Sequence, residues 1–494
     1  MNPLKKLVGQ TAIYGLPSIV GRLLNYLLVP IHTAIFLKEQ FGVITEMYAY
    51  VSFLVVLLTY GMETAFFRFN SKEENNKDEV FSTTIIALLV TTSIFILLAS
   101  IFAQPIANFI SYPNNQEYVV WFAFIVGLDA ISSIPLAKLR VENKAKTFAA
   151  VNLGSIAINI GLNLFWIGYC IPAYQDGVSN FFTEYLFTPT IGVGYVFIAN
   201  LFATAFKFVL LSPYLYKIKY SINIPLLKKM LSYGWPLLVA SLAIIVNENA
   251  DKIMLKWMLK DTLGVDGATG MVGIYGACYK ISIIISIFIQ AFRYAAEPFF
   301  FNQAKEQDAT KSYAMVMKYF VIVCSFIFLG VMLYMDVIKY FVRKEEYWVG
   351  LNVVPYLLLA NICLGIFYNL SIWYKLSGKT RYGAGIAIVG AIITITMNYI
   401  LIPFIGYLGS AITTLVCYFS MVLISYWLGQ KYYPVNYPLK RIFMYLVLAI
   451  GFYGITILLD METSLFKYMI HSFFMLLFVA VVYILEKPKK VLIS

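Results

Sequence analysis

Charge is what this sequence has little of. Only 13% of its 494 residues are Asp, Glu, Lys or Arg, where soluble domains carry about 25%. No polar stretch is long enough to form a soluble domain. Histidine is scarcer still: His32 and His471 are far apart in sequence and suggest no ligand cluster. The five cysteines (Cys170, Cys278, Cys324, Cys363, Cys417) all fall in apolar segments without a CxxC pair. They read as small core residues, so no disulfide framework, metal site or cofactor is expected. A cleaved leader is not expected either. Lys5 and Lys6 precede an apolar run, but Arg22 interrupts it, no small-x-small site follows, and it continues to about Phe36. An ATP site is also missing. Ser377-Gly378-Lys379-Thr380 ends like a phosphate-binding loop but has Ile372 and Trp373 where a glycine is needed. Any energy must come from an ion gradient or from the substrate gradient.

What is present is apolar: 61% of the chain is hydrophobic, with a mean hydropathy of +0.78. A membrane span needs about 20 apolar residues, and the pattern predicts an all-α, polytopic membrane protein with about 14 of them. The first six run over 9–34, 41–66, 81–110, 118–138, 147–171 and 190–216. The next six run over 227–256, 272–301, 312–338, 349–374, 382–404 and 407–430. The last two run over 440–459 and 464–486. The net charge of +12 does not point to nucleic acid, because the basic residues are scattered through short loops. With both termini cytoplasmic, about 24 Lys and Arg lie inside and about seven outside (Lys38, Lys256, Lys260, Lys339, Arg343, Lys344, Lys467), the bias expected of a membrane protein. The outer segment 172–189 has Asp176 and Glu184 and no Lys or Arg.

Charges inside the spans are the exception to all this. Arg22, Glu46, Glu63, Asp129, Lys207, Glu248, Asp251, Lys280, Arg293 and Glu297 sit in otherwise apolar stretches. A charge at that depth is costly and normally faces a water-filled cavity or a partner in the bundle. About ten such groups of both signs point to a protein that moves something across the membrane.

The chain also repeats itself weakly. Tyr14-Gly15-Leu16-Pro17 in the first span matches Tyr233-Gly234-Trp235-Pro236 in the seventh, and Phe41-Gly42 with Tyr48 matches Val272-Gly273 with Tyr279. The offsets differ by about a dozen residues, which the polar insert from Lys260 to Gly267 accounts for. A six-span repeat is even, so both halves enter the membrane in the same orientation. That predicts a lobe at 1–220, a second at 221–435, related by pseudo-twofold symmetry, and two further spans in 436–494.

On these residues the chain resembles the polysaccharide-biosynthesis flippases, in the superfamily that also holds multidrug exporters of the MATE type and lipid II flippases. The resemblance rests on Tyr14-Gly15-x-Pro17 and Gly42, then on Tyr60-Gly61-Met62-Glu63-Thr64-Ala65-Phe66-Phe67-Arg68-Phe69. Arg140-Val141-Glu142-Asn143-Lys144, Asn249-Ala250-Asp251-Lys252 and the layout of 12 plus 2 spans complete it. It implies two six-helix lobes around a cavity lined by spans one, two, seven and eight. That cavity opens alternately to either side and turns over undecaprenyl-pyrophosphate-linked sugars for O-antigen, capsule or exopolysaccharide. It also implies the bacterial cytoplasmic membrane, partner glycosyltransferases and a polymerase, and no enzymatic activity. An ion-coupled multidrug exporter is the alternative within the fold. A membrane glycosyltransferase or polymerase is the alternative outside it, but those carry large outer loops with paired acidic motifs.

The residues divide by role. Arg22, Lys280 and Arg293 are candidates for the pyrophosphate, which needs cations to leave water, and Arg offers a bidentate fork where Lys offers a point charge. Each cation has a bland alternative, with Arg22 balanced by Glu46 or Arg293 by Glu297. Tyr26, Tyr48 and Tyr279 are candidates for sugar contact. Glu46, Glu63, Asp129, Glu248 and Asp251 are candidates for coupling to H⁺ or Na⁺, since burial raises a carboxylate pKa. Asp251 and Lys252 are sequence neighbours and are not expected to face each other. Pro17 and Pro236 each remove a backbone hydrogen bond in equivalent spans and suit a gate.

Overall fold

The computed structural model describes residues 19–21, 23–71, 76–216, 221–304, 306–459 and 461–487. Arg22 and Pro17 therefore lie outside the described residues. Helices carry the architecture, and no strand occurs among the described residues. In chain order the apolar helices are α1 (Ile19–Ile35), α2 (Lys38–Asn70), α3 (Lys77–Ile101), α4 (Gln116–Val141), α5 (Ala145–Gln175) and α6 (Gly194–Tyr216). A continuous helical stretch, Ile224–Gln303, follows. Then come α9 (Ala309–Leu333), α10 (Glu345–Leu376), α11 (Thr380–Ile405), α12 (Tyr407–Tyr432), α13 (Leu439–Leu458) and α14 (Leu465–Glu486).

The 80 residues of Ile224–Gln303 would reach about 120 Å as one rod, against a hydrocarbon core of about 30 Å. They form two helices, α7 (224–263) and α8 (265–303). Gly264, at φ 72 and ψ 169, is the single non-helical residue between them. A bond across the turn shows the reversal: Tyr275 donates to Asp251 Oδ2 at 2.6 Å, although 24 residues of straight helix would separate them by about 36 Å. Counting α7 and α8 separately and adding the shorter α1, the helices agree with about 14 spans. The insert from Lys260 to Gly267, expected as a polar loop, is helical except at Gly264. Glycine alone takes that backbone without strain, so one residue turns the chain.

The helix ends follow from local sequence. Asn76 caps α3 by accepting from Asp78 N, with Asp78 and Glu79 in the first turn where the helix dipole favours anions. Ser464 caps α14 through Lys467 N. Inside α2, Tyr60 (φ 30) and Gly61 (φ 75) are both left-handed and break the helix in two.

Packing divides the chain into two compact units, residues 1–277 with 387–410, and residues 278–386 with 411–494. In the first, α6 lies against α4 and α5, and α3 against α4. In the second, α9 is flanked by α10, α13 and α14. The helix crossings of the first unit depend on glycine. A Cβ on Gly42 would collide with the Thr269 carbonyl, and one on Gly273 with the Lys38 carbonyl and, at 2.9 Å, with Gly42 N. A Cβ on Gly61 would come within 2.8 Å of the Gly234 carbonyl oxygen. The repeat-matched glycines 42 and 273 thus meet at one crossing, where backbones touch.

Candidate functional site

Glu46 is the most enclosed charge in the first unit. It lies on α2 with a side chain 0% exposed, and Lys256 of α7 meets its Oε2 at 2.8 Å with a side chain 2% exposed. Tyr112 also donates to Oε2 and Tyr50 to Oε1. The Lys256 ammonium donates further to the Ile110 carbonyl at 2.8 Å and lies 3.6 Å from the centre of the Tyr112 ring. Trp257 donates to the Tyr50 hydroxyl. The burial cost of both charges is thus offset by direct pairing and neighbouring hydrogen bonds. Lys256, read from sequence as an outer-loop cation, is a core residue. The signal was there: Ile253-Met254-Leu255 and Trp257-Met258-Leu259 carry the apolar run past it.

Three other candidate carboxylates of this unit are paired as well. Asp251, buried, accepts from Tyr275 and lies 3.1 Å from Lys252 Nζ. This corrects the expectation that the two neighbours do not face each other. The four-carbon stem curls back along its own helix, so the ammonium also reaches the Glu248 carbonyl at 2.8 Å. Asp129 on α4 pairs with Lys207 on α6, their side chains 30% and 16% exposed. Glu63 pairs with Arg140 at 2.9 Å, both about half exposed. Glu248 is half-buried on α7.

Of the aromatic candidates, Tyr48 accepts from Asn200 Nδ2 at 3.0 Å and packs edge-on to Phe122 and Phe197. Tyr26 is half-buried on α1 and Tyr279 half-buried on α8. Pro236 lies in α7 where no backbone angle departs from helix; the break in that stretch is at Gly264. His32 hydrogen-bonds Asn163 at 2.9 Å, and no metal-holding group of His, Cys, Asp and Glu occurs among the described residues.

In the second unit α8 and α10 line an open recess, bounded among others by Arg293, Glu297, Tyr368, Asn369, Ser371 and Lys375. Glu297 Oε1 accepts from Lys375 Nζ at 2.5 Å, and Arg293 stands 3.9 Å from the same oxygen. Lys375, placed by the sequence in a loop, is therefore the close partner of Glu297, not Arg293. The Arg293 guanidinium lies 3.9 Å from the centre of the Tyr368 ring. Lys280 is half-buried on α8. It is 13 residues from Arg293, a rise of about 20 Å and about 140° around the helix, so the two cations differ in depth and in face.

With that geometry in view, sequence comparison finds a family model described as "Polysaccharide biosynthesis protein" matching residues 34–344. The chain belongs to that family. A relative from Methanocaldococcus jannaschii, described as an uncharacterized membrane protein, is 21% identical over 444 residues, covering 85% of this chain and 82% of its own. Among solved structures, the lipid II flippase MurJ in an inward closed conformation superposes with a TM-score of 0.73 at 15% identity, covering 95% of this chain and 98% of that one. An inward-facing MATE multidrug resistance transporter of the MOP superfamily superposes at 0.58 and 14% identity, covering 90% and 95%. The MATE multidrug transporter DinF-BH does so at 0.60 and 16% identity, covering 86% and 95%. The fold of this polysaccharide biosynthesis family member is thus that of the MOP flippases and transporters, and it is a multi-pass membrane protein.

Within this family member two of these arrangements contrast. Glu46–Lys256 and Asp251–Lys252 are buried and saturated with partners. Arg293, Glu297 and Lys375 are half-exposed around a recess and hold more positive than negative charge. Only the second arrangement offers uncommitted donors to something that enters from outside.

Proposed function

We propose that this protein is a flippase that carries undecaprenyl-pyrophosphate-linked oligosaccharide across the bacterial cytoplasmic membrane by alternating access, for O-antigen, capsule or exopolysaccharide assembly. The observation that carries the reading is Arg293. It makes no hydrogen bond among the described contacts, it is oriented by Tyr368, and it shares a recess with a second cation and a single carboxylate. A guanidinium fork held in that way suits a phosphate. The family's link to polysaccharide biosynthesis and its relation to a lipid II flippase fold support the same cargo. Arg22 and Lys280 remain proposed as further cationic positions, and Tyr26, Tyr48 and Tyr279 as sugar contacts. The orientation, with both termini cytoplasmic, rests on the loop charges. H⁺ or Na⁺ is the proposed coupling ion, with glycosyltransferases and a polymerase as partners in the pathway. The similarity to MATE transporters supports a multidrug exporter as second reading, but a recess with excess positive charge disfavours a cationic cargo.

Purified protein in proteoliposomes with a fluorescent pyrophosphate-linked glycolipid tests this. Leaflet exchange is expected for the wild-type chain. It should fall about tenfold or more in Arg293→Ala and partly recover in Arg293→Lys, which keeps charge but loses the fork. Exchange of a cationic dye, with none of the glycolipid, would replace this reading by the exporter.

A further inference from the structure

We infer that Glu297 is a built-in competitor for the anionic headgroup, occupying the place between Lys375 and Arg293 that a phosphate of the cargo takes over. The inference rests on the reading of the recess given above and adds to it a role for Glu297 and one further residue, Asn369.

One carboxylate oxygen, Glu297 Oε1, serves both cations, at 2.5 Å from Lys375 Nζ and 3.9 Å from Arg293 Nη2. That is where an anion would sit to use both. The three side chains are 43%, 29% and 41% exposed, and ion pairs in such surroundings contribute little net stability. Exchange is therefore cheap. A pyrophosphate brings more negative charge than the single carboxylate it displaces and accepts from both cations at once. The 3.9 Å separation leaves the Arg293 fork without a hydrogen bond to Glu297, and its guanidinium carbon lies 3.9 Å from the centre of the Tyr368 ring.

Asn369 is the second, independent sign of a ligand. It lines the same recess, is 4% exposed, and its Oδ1 has no hydrogen-bond partner, while its Nδ2 donates to the Gly365 carbonyl at 3.0 Å. A buried acceptor without a donor is costly, and a hydroxyl beside the phosphate would supply one.

The test is calorimetric titration of the full-length protein in detergent with inorganic pyrophosphate and, separately, with farnesyl pyrophosphate. Melting curves of each variant confirm folding. Glu297→Gln removes the competitor and should tighten binding about tenfold, and Glu297→Ala should do the same, whereas Lys375→Met should weaken binding about tenfold. Tightening with both ligands assigns recognition to the phosphates, and tightening with the isoprenyl form alone assigns it to a lipid headgroup; either supports the proposal. Weaker binding in Lys375→Met with no gain in either Glu297 variant overturns the competitor role and leaves the headgroup site standing. No binding by any folded variant overturns both.

Discussion

Glu46 and Lys256 stand 210 residues apart in sequence and meet at 2.8 Å with almost no exposed surface on either side chain. The pair ties α2 to α7, and through the Ile110 carbonyl it also ties α7 to the segment before α4. Breaking such a pair on one side leaves a buried charge without a counter-charge. Glu46→Gln and Lys256→Met are each expected to lose about 3–5 kcal/mol of stability, while Glu46→Leu with Lys256→Met should recover most of it. Denaturant unfolding of the purified protein measures this. A double variant no more stable than the singles would mean that the pair is not the unit of stability.

The crossing of Gly42 and Gly273 supplies a second expectation. Each lacks the room for a Cβ because a carbonyl oxygen occupies it. Gly42→Ala and Gly273→Ala should each destabilise by about 1–3 kcal/mol or more, because helix backbones cannot move apart locally. Gly264→Ala meets no atom within 4 Å, yet it must adopt a positive φ, at a cost of about 1–3 kcal/mol. Wild-type melting temperatures in both crossing variants would contradict the contact.

The fold was legible because its signal is spread over hundreds of residues. Span length, loop charge and the glycine repeat each average over many positions, so an error at Lys256 did not disturb the topology. The recess was not legible for the opposite reason. Arg293 and Glu297 are four apart on one helix and suggested each other, whereas the close partner, Lys375, sits at the end of α10 behind Tyr374 and ahead of the Ser377-Gly378-Lys379-Thr380 turn. Nothing local separates Lys375 from the loop lysines around it. The Asp251–Lys252 contact was missed because helix-face reasoning treats a side chain as a point on a wheel, and a lysine stem reaches around the wheel.

Orientation is checked by labelling. Position 180 of a cysteine-free variant lies in an outer segment by charge, and position 225, in the first turn of α7, follows an inner one. Asn180 also caps the short helix Phe181–Tyr185, so Tyr185→Cys, at an exposed site, is the gentler outer probe. Ile222→Cys, exposed beside 225, serves for the inner loop. An impermeant thiol reagent added to intact cells should modify the first and spare the second. Equal labelling would overturn the orientation and the six-span repeat that depends on it.

The proposed coupling to H⁺ or Na⁺ is tested at Asp129 and Lys207, which pair between α4 and α6. Both are only partly buried, in contrast to the closed Glu46 site. Coupling is therefore expected at Asp129 more than at Glu46. In proteoliposomes with an imposed gradient, Asp129→Asn should flatten the pH or Na⁺ dependence of glycolipid exchange while the protein stays folded. Glu46→Gln should lower protein yield without changing that dependence in the fraction that folds. The double variant, Asp129→Asn with Lys207→Gln, removes both charges at once. If Asp129 only balances the lysine, the double variant regains gradient-driven exchange with wild-type dependence. If it carries the ion, exchange in the double variant stays independent of the gradient, which is the result expected here.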